Sequence, residues 1–309
     1  MKVVFMGSAD FGIPALEALR AHGHRIAAVV STPAKPRGRG RKLQDSQITH
    51  YAKQHNLGPI FTPQRLKDPE LARKLKALEA DIFVVVAFRI LPPEIFSIPP
   101  FGTVNIHASL LPSFRGPAPI QRAIESGEKT TGITIFQIDV GIDTGKVLLR
   151  RRTDIGENET TPQLYERLSA MGAQGLVEAL ECIQNDTCEP VAQEDKQATG
   201  APKLKKEEAI IDWRESSTRI FNRIRAFKPF PGTVTHIGGK RLGIEWARPS
   251  RQAFDAEPGS VVAIQPESFT VACGEGSLSV LEVKPEGKKA MNVGAFLRGH
   301  AMEKGLILK

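Results

Sequence analysis

Two short polar segments, about thirty residues apart, carry side chains suited to acyl-type transfer. Asn105 and His107 lie two apart at the end of a β-rich run, so an extended chain would place both on one face. Asp143 lies in a glycine-rich turn after another strand-like run, residues 132–138, and this turn can bend tightly toward the histidine. An amide donor, an imidazole and a carboxylate can stabilise an oxyanion and remove a proton. This chemistry requires neither a serine nor a cysteine nucleophile.

Each of these residues alone also has a purely structural explanation. A lone histidine near a strand end is often a satisfied structural residue, and an aspartate in a glycine-rich turn often only shapes the turn. The whole string favours a functional explanation, because it continues directly into Ser-Leu-Leu-Pro at residues 109–112 and Arg-Gly-Pro at residues 115–117. This composition is unusual for a plain loop.

The elements that must position these residues alternate between strand and helix. Strand-like runs cover residues 2–6, 25–31 and 82–87, and helix-like segments cover residues 14–20, 46–55 and 68–80. The pattern predicts an α/β fold with an open, doubly wound, mostly parallel Rossmann-like sheet. Ligands of such sheets bind beyond the carboxyl ends of the strands, where Asn105 and His107 are expected. The turn at residues 7–12 lacks the GxGxxG spacing of a dinucleotide site, so we interpret it as a tight strand-to-helix connection.

The second half begins with a long helical pattern over residues 160–183 and then changes in composition. Residues 189–206 are polar and irregular, which marks a linker between a first domain at 1–188 and a second at 207–309. The second domain reads as one helix and about five short strands with glycine turns: 216–227, then 232–237, 240–247, 259–264, 268–272 and 277–283. This pattern predicts a small β-barrel.

Length, apolar runs and cysteine content limit which kind of protein this chain can be. The chain has 309 residues, which favours two domains over one. No apolar run reaches the ~18 residues of a membrane span, and the N-terminus enters a strand pattern directly, so we expect a cytoplasmic protein without a signal segment. The cysteines, Cys182, Cys188 and Cys273, are odd in number and lack CxxC spacing. We therefore expect three reduced thiols and no metal site.

Positive charge is concentrated in two places. The chain carries 42 basic against 34 acidic residues, and residues 200–309 alone hold 18 against 12. The other concentration, here called the basic segment, is residues 32–42; it has no acidic residue, and its cations are Lys35, Arg37, Arg39, Arg41 and Lys42. Its prolines and glycines predict a mobile loop. Charge runs are often only solvated surface, but five cations beside a basic domain favour a phosphate-rich partner, and the scarcity of aromatic residues favours the backbone of a folded RNA.

The string over residues 105–120, with Asp143 behind it, resembles the signature of the folate-dependent formyltransferases. Further similar strings cover nearly the whole chain, at residues 6–11, 38–40, 119–122, 206–209, 211–213, 224–227 and 287–291. The last four strings matter most, because they lie in a C-terminal part that some members lack. Members that formylate glycinamide ribonucleotide share the Asn, His and Asp but end after about two hundred residues. The chain departs from the family pattern at residues 87–92, where it is one residue shorter and lacks a glycine.

The resemblance implies transfer of the formyl group of 10-formyltetrahydrofolate to the α-amine of methionine on initiator methionyl-tRNA. Asn105 and His107 would donate hydrogen bonds to the oxyanion, and Asp143 would orient or charge His107 and help to move the proton, without a metal. Part of the folate-binding wall would come from Ser109, Leu110, Leu111 and Pro112. Core packing is the alternative for one of these two leucines.

The resemblance also implies the parts that hold the RNA. The second domain would be an OB-like barrel, a fold suited to binding nucleic acid, and four cations of the basic segment would reach the acceptor arm of the tRNA: Arg37, Arg39, Arg41 and Lys42. We expect the protein to act as a monomer.

Three alternatives stay open. A formyltransferase acting on a nucleotide-linked sugar amine shares the first domain and a similar second one, but is often fused to a dehydrogenase domain for which 309 residues leave no room. A formyltetrahydrofolate hydrolase would use the same triad with water as the nucleophile. A non-catalytic RNA-binding protein could keep the sheet, and the intact Asn105, His107 and Asp143 argue against it.

Overall fold

The computed structural model describes residues 1–37 and 42–309, which form two compact units. The first unit consists of Met1–Pro119, Thr130–Asp154 and Tyr165–Ala201. The second consists of Ile120–Lys129, Ile155–Leu164 and Pro202–Lys309. Both units are therefore built from segments that are discontinuous along the chain.

A seven-stranded sheet organises the first unit. The strands up to residue 154 are β1 Lys2–Gly7, β2 Arg25–Val30, β3 Lys35–Arg37, β4 Lys42–Gln44, β5 Ile60–Phe61, β6 Ile82–Val86, β7 Thr103–His107, β8 Thr130–Gln137 and β9 Val147–Asp154. The order across the sheet is β5-β2-β1-β6-β7-β8-β9. The first five strands in this order are parallel to one another. Strand β8 is antiparallel to β7, and β9 is antiparallel to β8. The predicted open, mostly parallel sheet is confirmed.

Helices connect these strands, and their caps and apolar faces follow from the sequence. They are α1 Ile13–Ala21, α2 Gln47–Gln54, α3 Pro69–Ala77, α4 Pro93–Phe96, α5 Pro119–Glu125 and α6 Thr161–Gln184. Ser46 and Asp68 accept hydrogen bonds from first-turn amides of α2 and α3, which satisfies donors left free at a helix start. On α3, Leu71 and Leu75 lie four residues apart and join β-strand side chains such as Phe83 in one buried cluster.

Two glycines bring α6 close to the strands that carry the candidate site. A Cβ on Gly172 would lie 2.7 Å from Ile106 Cγ2, and one on Gly175 would lie 3.0 Å from Ile133 Cδ1. A larger side chain at either position would push the helix outward, so these glycines fix how tightly α6 backs β7 and β8.

Part of the basic segment belongs to strands rather than to a loop. β3 and β4 pair antiparallel, with Lys35 opposite Gln44 and Arg37 opposite Lys42. The prediction of a mobile loop is therefore wrong for these two triplets, because backbone pairing can hold a polar, proline-containing segment without burying it. Arg39 and Arg41 lie outside the described residues.

The expectation of three reduced thiols is wrong for two of them. Cys182 and Cys188 are joined as a disulfide with their Cα atoms 5.1 Å apart, a separation that the bond geometry allows. A spacing of six residues matches no cysteine motif. The two cysteines meet because the chain turns back after the end of α6. Cys273 is free and buried, and burial raises the pKa of its thiol to about 12.

The second unit contains an antiparallel sheet. Its elements from Pro202 onward are α7 Ser217–Ala226, β10 Val234–Ile237, β11 Lys240–Ser250, β12 Val261–Gln265, β13 Ser268–Ala272, β14 Ser277–Pro285, β15 Met291–Asn292 and α8 Val293–Leu297. The strand order is β10-β11-β14-β13-β12, with β15 paired to β14, so the pairing among the described residues is open rather than a closed ring. The five predicted strands all form. Trp213 is buried in this unit's core and donates from Nε1 to Thr235 Oγ1 at 3.1 Å.

No helix within the two described ranges is both long and apolar enough to cross a bilayer.

Candidate active site

Asn105 and His107 lie on β7, which is central to the sheet of the first unit. Strand β8 runs antiparallel beside it, with Asn105 opposite Phe136 and His107 opposite Thr134. Because β7 is unbroken from Thr103 to His107, both side chains project from one face, as predicted.

The loop that carries Asp143 has to turn back toward His107. Since β8 is antiparallel to β7, its carboxyl end lies beside the start of β7, where Ile138 N donates to Thr103 O at 2.7 Å. Asp143 Oδ2 nevertheless lies 3.6 Å from His107 Nδ1. The chain therefore reverses between these points, which the glycines at 141 and 145 allow.

His107 is buried between two oxygen acceptors. Its Nε2 is 2.8 Å from Phe114 O, a hydrogen bond in which the ring N–H donates, and its Nδ1 faces the Asp143 carboxylate at 3.6 Å. The second distance exceeds that of a good hydrogen bond. Nε2 is thus committed to the protein, whereas Nδ1 remains available to a ligand.

Asp143 is fixed by its backbone and by its carboxylate. Its φ is +56°, in the left-handed region that is uncommon for residues other than glycine. Oδ2 accepts a hydrogen bond from Gly116 N at 2.7 Å, and the carbonyl oxygen accepts one from Gln193 Nε2 at 2.9 Å. Left-handed aspartates at such sites persist only when the surroundings hold them, and here two neighbouring loops do so.

Asn105 presents an unsatisfied amide oxygen. Oδ1 is buried and has no hydrogen-bond partner among the residues that the structure describes. An orphaned buried polar atom costs free energy on the order of 1–3 kcal/mol unless a ligand pairs it. A rotation of the amide would present the NH₂ group instead, so the side chain can offer either polarity to a bound molecule.

The Ser-Leu-Leu-Pro segment is fastened to β8 by a single threonine. Thr134 Oγ1 donates to Ser109 O at 2.7 Å and accepts from Leu111 N at 3.0 Å. Ser109 is fully buried and Leu111 is 1% exposed in a cluster with Phe136 and Val147, whereas Leu110 and Pro112 are only partly buried. Leu110 and Pro112 therefore have surface to offer a ligand, and Leu111 packs in the core.

Three apolar side chains on the surrounding loops are unusually exposed. Val140 and Ile142, on the loop of Asp143, are 84% and 58% exposed, and Ile90, on the loop after β6, is 74% exposed. Exposed aliphatic groups beside a polar site provide a surface for a flat apolar ligand. Sequence reasoning did not select these residues, although an apolar residue within a glycine-rich turn was the available signal.

The shortened loop at residues 87–92 has a defined path. Ala87 has φ +48°, so it adopts the left-handed conformation at the start of the loop without a glycine. Arg89 then anchors the loop by donating from Nη2 to Pro63 O at 2.9 Å and from Nη1 to Gln64 O at 3.0 Å. Burial lowers the pKa of this guanidinium from its ordinary value.

A further polar cluster follows β1. Tyr165 donates to Asp10 Oδ1 at 2.5 Å and accepts from Phe11 N at 2.9 Å, while Gln47 Nε2 donates to Asp10 Oδ2 at 3.0 Å. Burial, with a smaller contribution from the Asp10 carboxylate, raises the pKa of the Tyr165 phenol above its ordinary value. The cluster holds the turn at residues 7–12, which the sequence predicts to be a tight strand-to-helix connection.

The residues predicted to reach RNA are only partly described. Lys42 is exposed on β4, and the backbone of Arg37 belongs to β3. Arg39 and Arg41 fall outside the described ranges. The structure thus gives no common geometry for these four cations.

Within those ranges, no group of three or more His, Cys, Asp or Glu side chains could hold a metal ion.

Comparison with known families covers almost all of the chain. The profile of the family described as "Formyl transferase" matches residues 1–180, and that of "Formyl transferase, C-terminal domain" matches residues 203–301. A methionyl-tRNA formyltransferase of Methylococcus capsulatus is 44% identical over 303 residues, which are 98% of each chain.

Solved structures show the same fold at lower identity. The N-formyltransferase of Helicobacter canadensis, in complex with folinic acid and dTDP-3-aminofucose, has a TM-score of 0.68 at 21% identity, covering 91% of this chain and 98% of that one. The methionyl-tRNA formyltransferase of Clostridium thermocellum has a TM-score of 0.54 at 21% identity, covering 80% and 93%.

Proposed function

Because this chain belongs to the formyl transferase family, we propose that it transfers the formyl group of 10-formyltetrahydrofolate to the α-amine of methionine carried by initiator tRNA. The observation that carries the choice of acceptor is the likeness to methionyl-tRNA formyltransferases over the full length of both chains. The pairing of His107 with Asp143 beside an unsatisfied Asn105 supports the chemistry.

The residues around the triad fit a reduced folate. Val140, Ile142 and Ile90 offer exposed aliphatic surface to a flat ring, and Leu110 and Pro112 offer partly buried surface. Ser109 and Leu111 support this wall from behind, because both are buried. When bound, the folate supplies the activated formyl group.

Asn105 and His107 stabilise negative charge on the formyl oxygen. The two donors are the NH₂ of a rotated Asn105 and the Nδ1–H of His107 in its imidazolium form, since Nε2 keeps its own proton on Phe114 O. Each donor is worth roughly 10²- to 10³-fold in rate for an oxyanion of this kind. Nε2 stays on Phe114 O, which holds the ring in place while Nδ1 acts.

Asp143 orients His107 and receives the proton of the attacking amine through a water molecule. As the bond between the formyl carbon and N10 of the folate substrate breaks, the same proton passes to N10, so that tetrahydrofolate leaves as a neutral amine. Its carboxylate is fixed by Gly116 N, so it does not need to reorganise during the reaction. The attacking amine must be neutral, because a protonated amine has no lone pair for the carbonyl carbon.

Binding of the RNA is assigned to two regions. Catalysis is performed by the triad of the first unit, and the basic residues of 207–309 hold the tRNA backbone. The cations Arg37, Arg39, Arg41 and Lys42 reach the acceptor arm, where phosphate contacts give affinity without sequence specificity. The protein acts as a cytoplasmic monomer.

A nucleotide-linked sugar amine is the second candidate acceptor. The Helicobacter canadensis enzyme has the higher TM-score of the two structures compared, but at 21% identity the likeness concerns the fold alone. The 44% identity to a methionyl-tRNA formyltransferase therefore decides the order of the candidates.

A panel of acceptors tests the proposal. The purified protein, supplied with 10-formyltetrahydrofolate, should formylate methionine on initiator tRNA with a kcat/KM at least about 10³-fold above that for a nucleotide-linked amino sugar, since binding energy from the remote RNA is used in the transition state. Equal or better use of the sugar amine would overturn the assignment of the acceptor.

A further inference from the structure

A segment of the first unit, residues 191–201, lies against both loops that hold the triad; we call it the strap. Val191 pairs with Val147 at the start of β9, donating and accepting at 2.9 and 2.8 Å. At its other end Thr199 O accepts from Arg115 N at 2.8 Å, and Ala201 N donates to Arg115 O at 2.6 Å. The strap is thus fixed at both ends to backbone near the site.

Gln193 lies between these ends and connects the two loops. Its Nε2 donates to Asp143 O at 2.9 Å and to Gly145 O at 2.7 Å. Its Oε1 accepts from Arg115, at 3.2 Å from Nε and 2.9 Å from Nη2. One side chain therefore ties the loop of Asp143 to the loop that supplies Gly116 N and Phe114 O.

The hydrogen-bonding capacity of this amide is completely used. A glutamine has two N–H donors and one oxygen with two lone pairs, and here both donors and both lone pairs have partners. A glutamate of the same shape could keep Arg115, but its second oxygen would face two carbonyl oxygens. The site thus distinguishes glutamine from glutamate by chemistry rather than by size.

The positions held by Gln193 are those that the triad depends on. Asp143 adopts a left-handed backbone conformation, at φ +56°, and lies 3.6 Å from His107 Nδ1. Gly116 N fixes its carboxylate, and Gly116 can approach the strap only without a Cβ, which would lie 2.8 Å from Ala201 O. A shift of either loop would therefore change the distance between the carboxylate and the imidazole.

From these contacts we infer that Gln193 is a positioning residue for Asp143. It sets the backbone of the Asp143 loop against Arg115 and so keeps the carboxylate at the distance that the proposed proton transfer requires. The kinetic consequence rests on the proposed function, whereas the structural consequence does not. A displacement of about 1 Å in such a site can cost about 10²-fold in rate.

The kinetic experiment uses Gln193→Glu with a matched control. Gln174→Glu makes the same change at an exposed position on α6, where the Gln174 oxygen also accepts from an arginine, Arg151 Nη1 at 3.2 Å. We expect Gln193→Glu to lower kcat about 10- to 100-fold with both KM values within about twofold of wild type. The Gln174→Glu control should keep the wild-type kcat and both wild-type KM values.

A double-mutant cycle separates positioning from general support. If Gln193 acts through Asp143, Gln193→Glu in an Asp143→Asn background should change kcat by less than about twofold, because the group that it positions is already lost. Independent, multiplicative losses in the double variant would overturn the inference.

Crystal structures of wild type, Gln193→Glu and Gln174→Glu test the same point without any substrate. The expected result is a separation of Asp143 Oδ2 from His107 Nδ1 that grows by about 1 Å in Gln193→Glu alone. An unmoved Asp143 would overturn the positioning role even if formyl transfer were demonstrated. A moved Asp143 in a protein that formylates no tRNA would keep the positioning role and reject the proposed acceptor.

Discussion

At the scale of single residues, the site contains polar atoms that are hydrogen-bonded within the protein and polar atoms that are not. His107 Nε2 is held by Phe114 O and the Asp143 carboxylate by Gly116 N, whereas His107 Nδ1 and Asn105 Oδ1 have no hydrogen bond within the part of the chain that is described. The proposed chemistry uses these two side chains, with the Asn105 amide rotated so that its NH₂ group faces the oxyanion. The hydrogen bonds to Phe114 O and from Gly116 N fix the orientation of the imidazole and of the carboxylate. Such a fixed orientation is the usual condition for electrostatic stabilisation of a transition state.

The first prediction concerns the three triad residues. Asn105→Ala, His107→Ala and Asp143→Ala should each lower turnover by about 10²- to 10³-fold, since each removes a donor or the group that orients one. Steady-state kinetics with charged initiator tRNA measure the effect, and tRNA affinity should stay near that of wild type. Near-normal turnover in any one variant would remove that residue from the mechanism.

The sequence predicts these residues better than it predicts their partners. A spacing of two on a strand places Asn105 and His107 on one face, because the side-chain period of a strand is two. The acceptor for His107 is a main-chain carbonyl, Phe114 O, and the donor to Asp143 is a main-chain N–H, Gly116 N. Backbone groups carry no side-chain identity, so no residue type in the sequence could indicate them.

At the scale of elements, β8 holds the segment at residues 109–112 through one hydroxyl. Thr134 is fully buried and both donates to Ser109 O and accepts from Leu111 N. Thr131 lies on the same strand, also buried, but its hydroxyl has no hydrogen-bond partner among the described residues. The strand thus contains a threonine that fastens a neighbouring segment and one that fastens nothing.

The second prediction compares these two threonines. Thr134→Val should lower the free energy of unfolding by about 1–3 kcal/mol, because it leaves a buried N–H and a buried carbonyl unpaired. Thr131→Val should be neutral within about 0.5 kcal/mol or stabilising, since it removes an unpaired hydroxyl without changing shape. Denaturant unfolding of both variants provides the comparison. Equal destabilisation of the two variants would show that the hydrogen bonds of the Thr134 hydroxyl do not hold residues 109–112 against β8.

Element type was predictable where a continuous apolar run or a helical period was clear. The run at 82–87 became β6, and the pattern at 160–183 became α6, with ends shifted by one residue. The pairing of β3 with β4 was not predictable, because Lys35–Arg37 and Lys42–Gln44 are three residues long each, which is too short to establish an alternation of apolar and polar residues. The reversal of the Asp143 loop also depends on β8 being antiparallel, and sheet direction is not encoded in a single strand.

At the scale of the whole molecule, charge and domain content point to a large anionic substrate. The excess of cations lies in residues 200–309 and in the basic segment. Length and composition predicted two domains and this uneven distribution of charge. They could not predict that the unit carrying the C-terminal sheet also takes in Ile120–Lys129 and Ile155–Leu164, because such contacts join residues far apart in sequence.

The third prediction concerns the basic segment. Replacing Arg37, Arg39, Arg41 and Lys42 by alanine should raise the KM for charged tRNA strongly and leave that for formyl-folate unchanged. The slope of log affinity against log salt should fall by about 0.7 to 0.9 for each phosphate that the variant no longer neutralises. A control with the same charge change replaces four exposed cations elsewhere: Arg65, Lys67, Arg73 and Lys76.

The two quadruple variants give opposite results if the basic segment contacts RNA. The control should keep the affinity and salt slope of wild type, because net charge alone acts weakly at physiological ionic strength. If the basic-segment variant also kept both, the segment would be only solvated surface, and RNA binding would rest on residues 207–309.

The central claim is that this chain moves a formyl group from a folate to methionine on initiator tRNA. The most direct measurement follows the fate of the formyl label of 10-formyltetrahydrofolate, with and without charged initiator tRNA, while the release of tetrahydrofolate is recorded in parallel. The account predicts one formyl group on methionine for each tetrahydrofolate released, and no release above background without the RNA. Rapid release of tetrahydrofolate with free formate in the absence of RNA would contradict it and identify a hydrolase.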